Sequence, residues 1–347
     1  MASPDLRISH AGHLVPYVEF LDGIGSPIGL GLERMRLPGN LMEIPDCYVP
    51  ARSVFGFVGY MADKEGIDDL GFRVAYEKGL GLLAPTLGMK VCSGASLHDT
   101  MQRFCAGARV VSSNVRSWVV EGNDEVRFYI RRPLEPGTPG YTQTEWISVV
   151  VMIGMVQLFA GPRWQPHRIS LRTKKGVPPL ARETFGNTRF LTAQPEVSIA
   201  FSPSLLALPR FRETGERRLS VPPAPDTPTP YGAVEPAADF AGRLMQCVMP
   251  HFGEGYPSIR LAAEIAGTSV RTLQRRLADL GLNYGDVVSR ARFDVASNML
   301  TQTDAPVIEV AFATGYSDPS HFARAFRRLA GVSPREFRAA ALQSSPD

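Results

Sequence analysis

Cysteine is scarce in this 347-residue chain: Cys47, Cys92, Cys105 and Cys247 are scattered, with no C-x-x-C pair. That spacing argues against a disulfide framework and against a structural zinc site. Lysine is scarcer still for a chain with 37 basic residues, since only Lys64, Lys78, Lys90, Lys174 and Lys175 occur. Arginine is therefore the ordinary cation here, and an arginine cluster carries meaning only through its placement. No 18-residue apolar run occurs. The nearest approach, Trp146–Ala160, is broken by Ser148, Gly154 and Gln157 and is expected to be a buried helix rather than a membrane span. The opening residues MASPDLRISHAGH lack an apolar stretch flanked by basic residues, so export is not signalled and a cytoplasmic protein without a membrane partner is expected. No convergent set of acid, base and nucleophile stands out, so no catalytic residue, cofactor or metal is assigned.

Proline is concentrated in one place. Val221–Pro236, VPPAPDTPTPYGAVEP, holds six prolines and reads as a semi-rigid linker. The expected division is residues 1–209, a linker over residues 210–237, and a helical unit over residues 238–342. In the first part, Leu97, Met101, Phe104 and Ala108 repeat at helical spacing behind a capping pair, Ser96 and Asp99. Arg116–Glu121 and Glu125–Arg131 flank Gly122-Asn123-Asp124 as a hairpin signal. Thr142 and Glu145 are spaced to cap the Trp146–Ala160 helix, and short strands are expected at Arg168–Arg172 and Val197–Ser202. This mixture predicts an α+β domain. Trp118, Phe128, Trp146 and Met152 are candidates for an effector pocket, although the same residues suit an ordinary core.

The second part is predicted to be all-α and contains a repeat. Helix Ile259–Ala266, turn Gly267-Thr268-Ser269 and helix Val270–Leu280 are matched about fifty residues later by Val307–Thr314, Gly315-Tyr316-Ser317 and Asp318–Leu329. Each is a helix-turn-helix pattern, and the amphipathic helix Tyr284–Gln302 joins them. With Leu273, Leu277 and Leu280 inward, the first second-helix shows Arg271, Gln274 and Arg275, flanked by Thr272 and Arg276. With Phe322, Phe326 and Leu329 inward, the other shows Ser320, Ala323, Arg324 and Arg327. Arginine presents two parallel donors to guanine, glutamine pairs both ways with adenine, and small residues allow close approach to base edges. Base reading is thus expected from Arg271, Gln274, Arg275, Ser320, Ala323 and Arg324. Phosphate contact is expected from Thr272, Arg276, Arg327 and from Ser333, which precedes Pro334 at a helix start with free amides. A solvated charged face is the plain alternative, and from Asp239 onward 12 arginines meet 11 acidic residues. That balance predicts weak non-specific attraction to phosphate and strong salt dependence.

The stretch Ile259–Arg338, with LAAEIAGTSVRTLQRRL and IEVAFATGYSDPSHFARAFRRLAGVSPREFR, resembles the AraC/XylS type of transcription regulator. Ala311, Gly315, Tyr316, Phe322, Arg324, Phe326, Arg327, Gly331, Ser333, Pro334, Phe337 and Arg338 carry the pattern A-x-x-x-G-[YF]-x-x-x-x-x-F-x-R-x-F-[KR]-x-x-x-G-x-[ST]-P-x-x-[FY]-R. Residues 15–208, through VPARSVFGFVGYMAD, DDLGFRVA and TLGMKVCSGASLHDTMQRFCAGARVVSS, resemble the arabinose-binding type of amino-terminal domain. The resemblance implies seven helices in two helix-turn-helix halves, with recognition helices in adjacent major grooves, and an effector-sensing, dimerising first domain. It also implies double-stranded operator DNA, an unnamed small-molecule effector, a second copy of the chain and RNA polymerase as partners. A constitutive DNA-binding protein whose first domain only dimerises, and an enzyme domain fused to a DNA-binding module, stay open as alternatives.

Overall fold

The computed structural model describes residues 5–83, 85–113, 115–132, 134, 136–211 and 235–343. Most of the expected linker, residues 212–234, lies outside the described residues. The first elements in chain order are β1 (Ile8–His10), α1 (Val15–Gly23), α2 (Ile28–Arg34), β2 (Tyr48–Pro50), α3 (Ala51–Glu65) and α4 (Leu70–Lys78). Next come α5 (Pro85–Cys92), α6 (Leu97–Val111), β3 (Arg116–Glu121), β4 (Val126–Arg131) and α7 (Tyr141–Ala160). Then follow β5 (Arg168–Ser170), α8 (Pro179–Thr184), β6 (Arg189–Leu191) and β7 (Val197–Phe201). The helical remainder is α9 (Phe240–Val248), α10 (Ile259–Ala266), α11 (Val270–Ala278), α12 (Tyr284–Gln302), α13 (Val307–Ala313), α14 (Pro319–Ala330) and α15 (Pro334–Gln343).

These elements form two compact units. The larger comprises Gly12–Met35 and the chain from Ala51 through the last strand. Its five-stranded sheet runs in the order β3-β4-β7-β5-β6, antiparallel except for the β5–β6 pair. The expected hairpin forms with Trp118 opposite Tyr129. Strand β4 alternates as a half-buried strand must: Val126, Phe128 and Ile130 are buried, while Arg127 and Arg131 are exposed. Phe104, on the apolar face of α6, meets Phe128 edge to face at 5.9 Å. The expected capping pair is present, with the Asp99 amide donating to Ser96 Oγ at 3.2 Å.

Helix α7 is long and apolar enough to cross a membrane, yet sixteen of its twenty residues are buried inside the unit. It begins five residues before the expected start. Gly140 adopts φ +76 and a Cβ there would strike the Phe55 carbonyl, so glycine reverses the chain and the helix starts at once. Thr142 and Glu145 consequently lie inside α7 rather than at its cap. Glu145 instead accepts the Arg172 amide at 2.6 Å while almost fully buried, and desolvation pushes its pKa up to about 7. The folded state therefore holds this proton more tightly than the unfolded chain, where the carboxyl titrates near 4.5. The associated stability is fully present below pH 4.5 and drains away as pH rises through 7. The melting temperature of the wild type minus that of Glu145→Gln should fall between about pH 5.5 and 8. A difference that stayed flat in scanning calorimetry would contradict the assignment.

The smaller unit joins residues 5–11 and Arg36–Pro50 to the helices α9–α15. In packing these segments depart from the chain-order division expected above, which assigned everything up to residue 209 to the first domain. Leu6, Ile8 and Tyr48 enter one core with Phe240, Leu244, Phe252, Leu273, Val288, Val295, Phe322 and Phe326. Strands β1 and β2 pair with Ile8 opposite Pro50, and Arg243 donates to Asp5 at 2.7 Å. Arg36 meets Glu264 of α10 at 2.6 Å.

Candidate nucleic-acid interface

The repeat seen in the sequence becomes two helix pairs with the same construction. In the first half, α10 ends on Gly267 in the left-handed conformation and Ser269 caps α11 by accepting the Thr272 amide at 3.2 Å. In the second, Gly315 (φ +76) follows α13 and Asp318 caps α14 by accepting the Ser320 amide at 2.7 Å. Each turn brings its second helix back across the first. The connecting helix α12 opens with a full capping box between Asn283 and Asp286 and keeps Val287, Val288, Ala291, Val295, Ala296, Met299 and Leu300 buried.

Two phenylalanines anchor α14. Phe322 and Phe326 are buried, their rings 5.7 Å apart, and Phe326 also meets Phe293 at 5.1 Å and Phe337 at 5.3 Å. Leu273 and Leu277 fix α11 in the same way. The expected third anchors are corrected: Leu280 is 51% and Leu329 45% exposed. Helix α11 stops at Ala278, and the left-handed Gly281 turns the chain before Leu280 can complete the stripe. On α14, two buried rings already fill the depth of the contact.

On α11, Arg271, Gln274 and Arg275 are exposed, and neither arginine has an ion-pair partner among the described residues. On α14, Ser320 and Arg324 are exposed and Ala323 is half-buried between them. All six expected base readers thus sit on outward helix faces. The structure adds exposed His321 and Arg328 beside them on α14, which the stripe reading passed over because both lie off the 320–324–327 line.

The expected phosphate contacts divide. Arg327 is exposed. Arg276 is turned onto its own unit, its guanidinium 3.6 Å from the Phe240 ring centroid and 4.0 Å from Asp5. The Thr272 hydroxyl lies 3.0 Å from Ser269 Oγ. Ser333 heads α15 in a reciprocal cap, its amide donating to Glu336 at 2.7 Å and its hydroxyl accepting the Glu336 amide at 3.3 Å. A carboxylate therefore already occupies the helix start at which a phosphate was expected.

The expected effector-pocket residues are also displaced. Phe128, Trp146 and Met152 are buried in the core of the larger unit, and Trp118 stacks on Tyr129 at 5.0 Å. A cavity in that unit is lined instead by residues including Leu83, Leu87, Phe104, Ile130, Arg132 and Ser148.

A family model described as the arabinose-binding domain of AraC transcription regulator, N-terminal, matches residues 26–210. A second, described as a helix-turn-helix domain, matches residues 262–340. The chain belongs to the AraC family of transcription regulators. It is 26% identical over 342 residues to the HTH-type transcriptional regulator VirS of Mycobacterium tuberculosis, covering 95% of this chain and 96% of that protein. It is 39% identical over 85 residues to the ornithine utilization regulator of Pseudomonas aeruginosa, covering 24% of this chain and 25% of that protein. Among solved structures, the transcriptional regulator CdpR from Pseudomonas aeruginosa matches 90% of this chain and 96% of its own at 20% identity and a TM-score of 0.39. The larger unit is thus the core of an effector-binding domain and the helical unit a DNA-binding domain of a transcription regulator.

Proposed function

We propose that this AraC-family protein is a ligand-responsive regulator that docks α11 and α14 into successive major grooves of operator DNA. The observation that carries the reading is the doubled helix, left-handed glycine and capped-helix unit, each half presenting exposed arginine outward. Arg271, Gln274 and Arg275 read one half-site, and Ser320, Ala323 and Arg324 read the other. Arg327 contacts the backbone, with Arg328 beside it. Helix α12 spans nineteen residues, about 28 Å, close to the roughly 34 Å that separates equivalent grooves on one face of DNA. Because the helical part is nearly neutral, a second copy of the chain adds the affinity that phosphate attraction does not supply. A regulator that works on operator DNA acts in the cytoplasm, which is the location this reading takes.

Coupling to the effector runs through the backbone as well as through the linker over residues 210–237. Residues 5–11 and Arg36–Pro50 belong to the DNA-binding unit, yet they continue directly into α1 and α3 or out of α2 of the effector domain. A ligand that changes the order of those effector-domain helices alters segments whose Leu6, Ile8 and Tyr48 are part of the DNA-binding core.

Footprinting and mobility-shift titration on the native upstream region test the DNA reading. Arg275→Ala should cost about 1–3 kcal/mol on the cognate site and relax preference at one base pair. Arg324→Ala should do the same in the other half-site. Equal weakening on every sequence would make Arg275 a phosphate contact, and an unchanged second half-site would leave α14 idle.

A further inference from the structure

Arg292 lies near the middle of α12 and is only 9% exposed. Among the described residues its partners are a carbonyl and three aromatic rings rather than a carboxylate. Nη2 donates to the Gly315 carbonyl at 2.7 Å, and Cζ lies 4.2 Å from the Tyr316 ring centroid, 5.0 Å from that of Tyr256 and 5.8 Å from that of Phe252. Nε is buried with no hydrogen-bond partner among the described residues. These contacts reach into both halves of the doubled motif. Phe252 belongs to the short 3-10 segment Met249–Glu254, and Tyr256 stands two residues before Ser258, the cap of α10. Gly315 and Tyr316 lie in the turn between α13 and α14. The backbones meet at the same place, since a Cβ on Gly315 would fall 2.9 Å from the Gly255 carbonyl oxygen and 3.0 Å from that of Phe252. The turn of the second helix pair thus rests on the chain leading into the first, with one guanidinium between them. Tyr284 at the start of α12 backs the same segment, its hydroxyl donating to the Pro257 carbonyl at 2.8 Å and its ring 6.5 Å from that of Tyr256.

A cation removed from water without a carboxylate is costly unless its surroundings replace the lost hydration. Here three rings and one carbonyl supply that replacement, and a planar guanidinium meets all of them in one arrangement only. Rotating the second helix pair about α12 would strand the charge among rings that no longer face it, so the contact resists that rotation. Helix α12 by itself fixes separation along its axis but not rotation around it. We infer that Arg292 is a positioning residue that sets the half-site spacing the protein accepts, by locking the orientation of α14 against α11. Arg292 is buried and acts through the turn that leads into α14 rather than by touching DNA. The inference rests on reading α11 and α14 as the two helices that enter the major grooves.

Mobility-shift titration of the full chain tests this on the footprinted native operator and on two copies with one base pair inserted or removed between the half-sites. One base pair turns the second half-site by about 35° and shifts it by about 3.4 Å. The wild type should bind both altered copies at least about tenfold more weakly, as for one or two misplaced base contacts. Arg292→Met keeps the side-chain length and suits the rings, but it removes the charge and the hydrogen bond to Gly315. It should narrow the difference to within about threefold, a change of the size that coupling contacts carry. Val295→Ala, at another buried position of α12, should lower stability yet keep the full spacing preference, because lost stability weakens binding to all three operators alike. Should Arg292→Met fail to fold, Tyr256→Leu takes its place: Tyr256 is exposed, so its loss leaves the core closed, and it should narrow the difference in the same direction. The inference is overturned if the wild type binds the three operators equally, if the Arg292 variant or its substitute keeps the full preference, or if Val295→Ala narrows it as much. Retardation of none of the three by the wild type defeats the operator reading and this inference with it. Retardation without a difference between spacings defeats the inference alone.

Discussion

Phe322→Ala should lower the stability of the DNA-binding unit by about 3–5 kcal/mol and erase protection of the half-site proposed for α14. Phe322 is buried at 2% exposure, with its ring 5.6 Å from Tyr316 in the turn and 5.7 Å from Phe326 on the same helix. Truncation leaves a cavity between the turn and the recognition helix, where the surrounding backbone is fixed by Gly315 and cannot close in. A domain of this size holds only about 5–15 kcal/mol in total, so the second helix pair melts before the first. The first half keeps Leu273 and Leu277 and should still protect its part of the operator. Phe322→Leu, which conserves most of the volume, should cost less than about 1.5 kcal/mol and retain both half-sites. Denaturant titration with footprinting measures both effects. An alanine variant as stable as the wild type, with both half-sites protected, would mean that Phe322 does not anchor α14.

The second large effect lies one turn upstream. Gly315 has φ +76, and a Cβ there would sit 2.9 Å from the Gly255 carbonyl oxygen and 3.0 Å from that of Phe252. Its own carbonyl accepts Arg292 Nη2 at 2.7 Å, and the same guanidinium lies 4.2 Å from the Tyr316 ring centroid. Gly315→Val combines a left-handed penalty of about 1–2 kcal/mol with displacement of a charge-assisted hydrogen bond worth about 1.5–3 kcal/mol. A loss on the order of 3 kcal/mol or more is expected, together with loss of the second half-site. Gly331 provides the comparison. It has φ +79 but open space around it, so Gly331→Ala should cost only the conformational part, about 1–2 kcal/mol. Equal losses at the two positions, measured by denaturant titration, would show that crowding at Gly315 is unimportant.

The DNA-binding half was largely written in local patterns. Ser258, Ser269 and Asn283 cap their helices, and left-handed glycines follow α10 and α13, so α10 and α12 have the expected boundaries. Caps and apolar stripes act within one helical turn, so spacing along the chain suffices to see them. Leu280 and Leu329 escaped that logic because helical periodicity does not record where a helix stops or when its groove is full. Arg276 and Ser333 escaped it because each found a protein partner, Phe240 across the unit and Glu336 one turn ahead.

Local chemistry along the chain determined the doubled helix pairs, the outward arginines and the α+β character of the first domain. Tertiary structure alone decided that residues 5–11 and Arg36–Pro50 join the DNA-binding core, because three-residue strands such as β1 and β2 take their meaning from a partner about forty positions away. It also decided where the larger unit keeps a cavity. Phe128 and Trp146, which looked like pocket residues, are large and fill space as core, whereas Leu83, Leu87 and Phe104 line the cavity only because folding brings α5, α6 and the segment before them together.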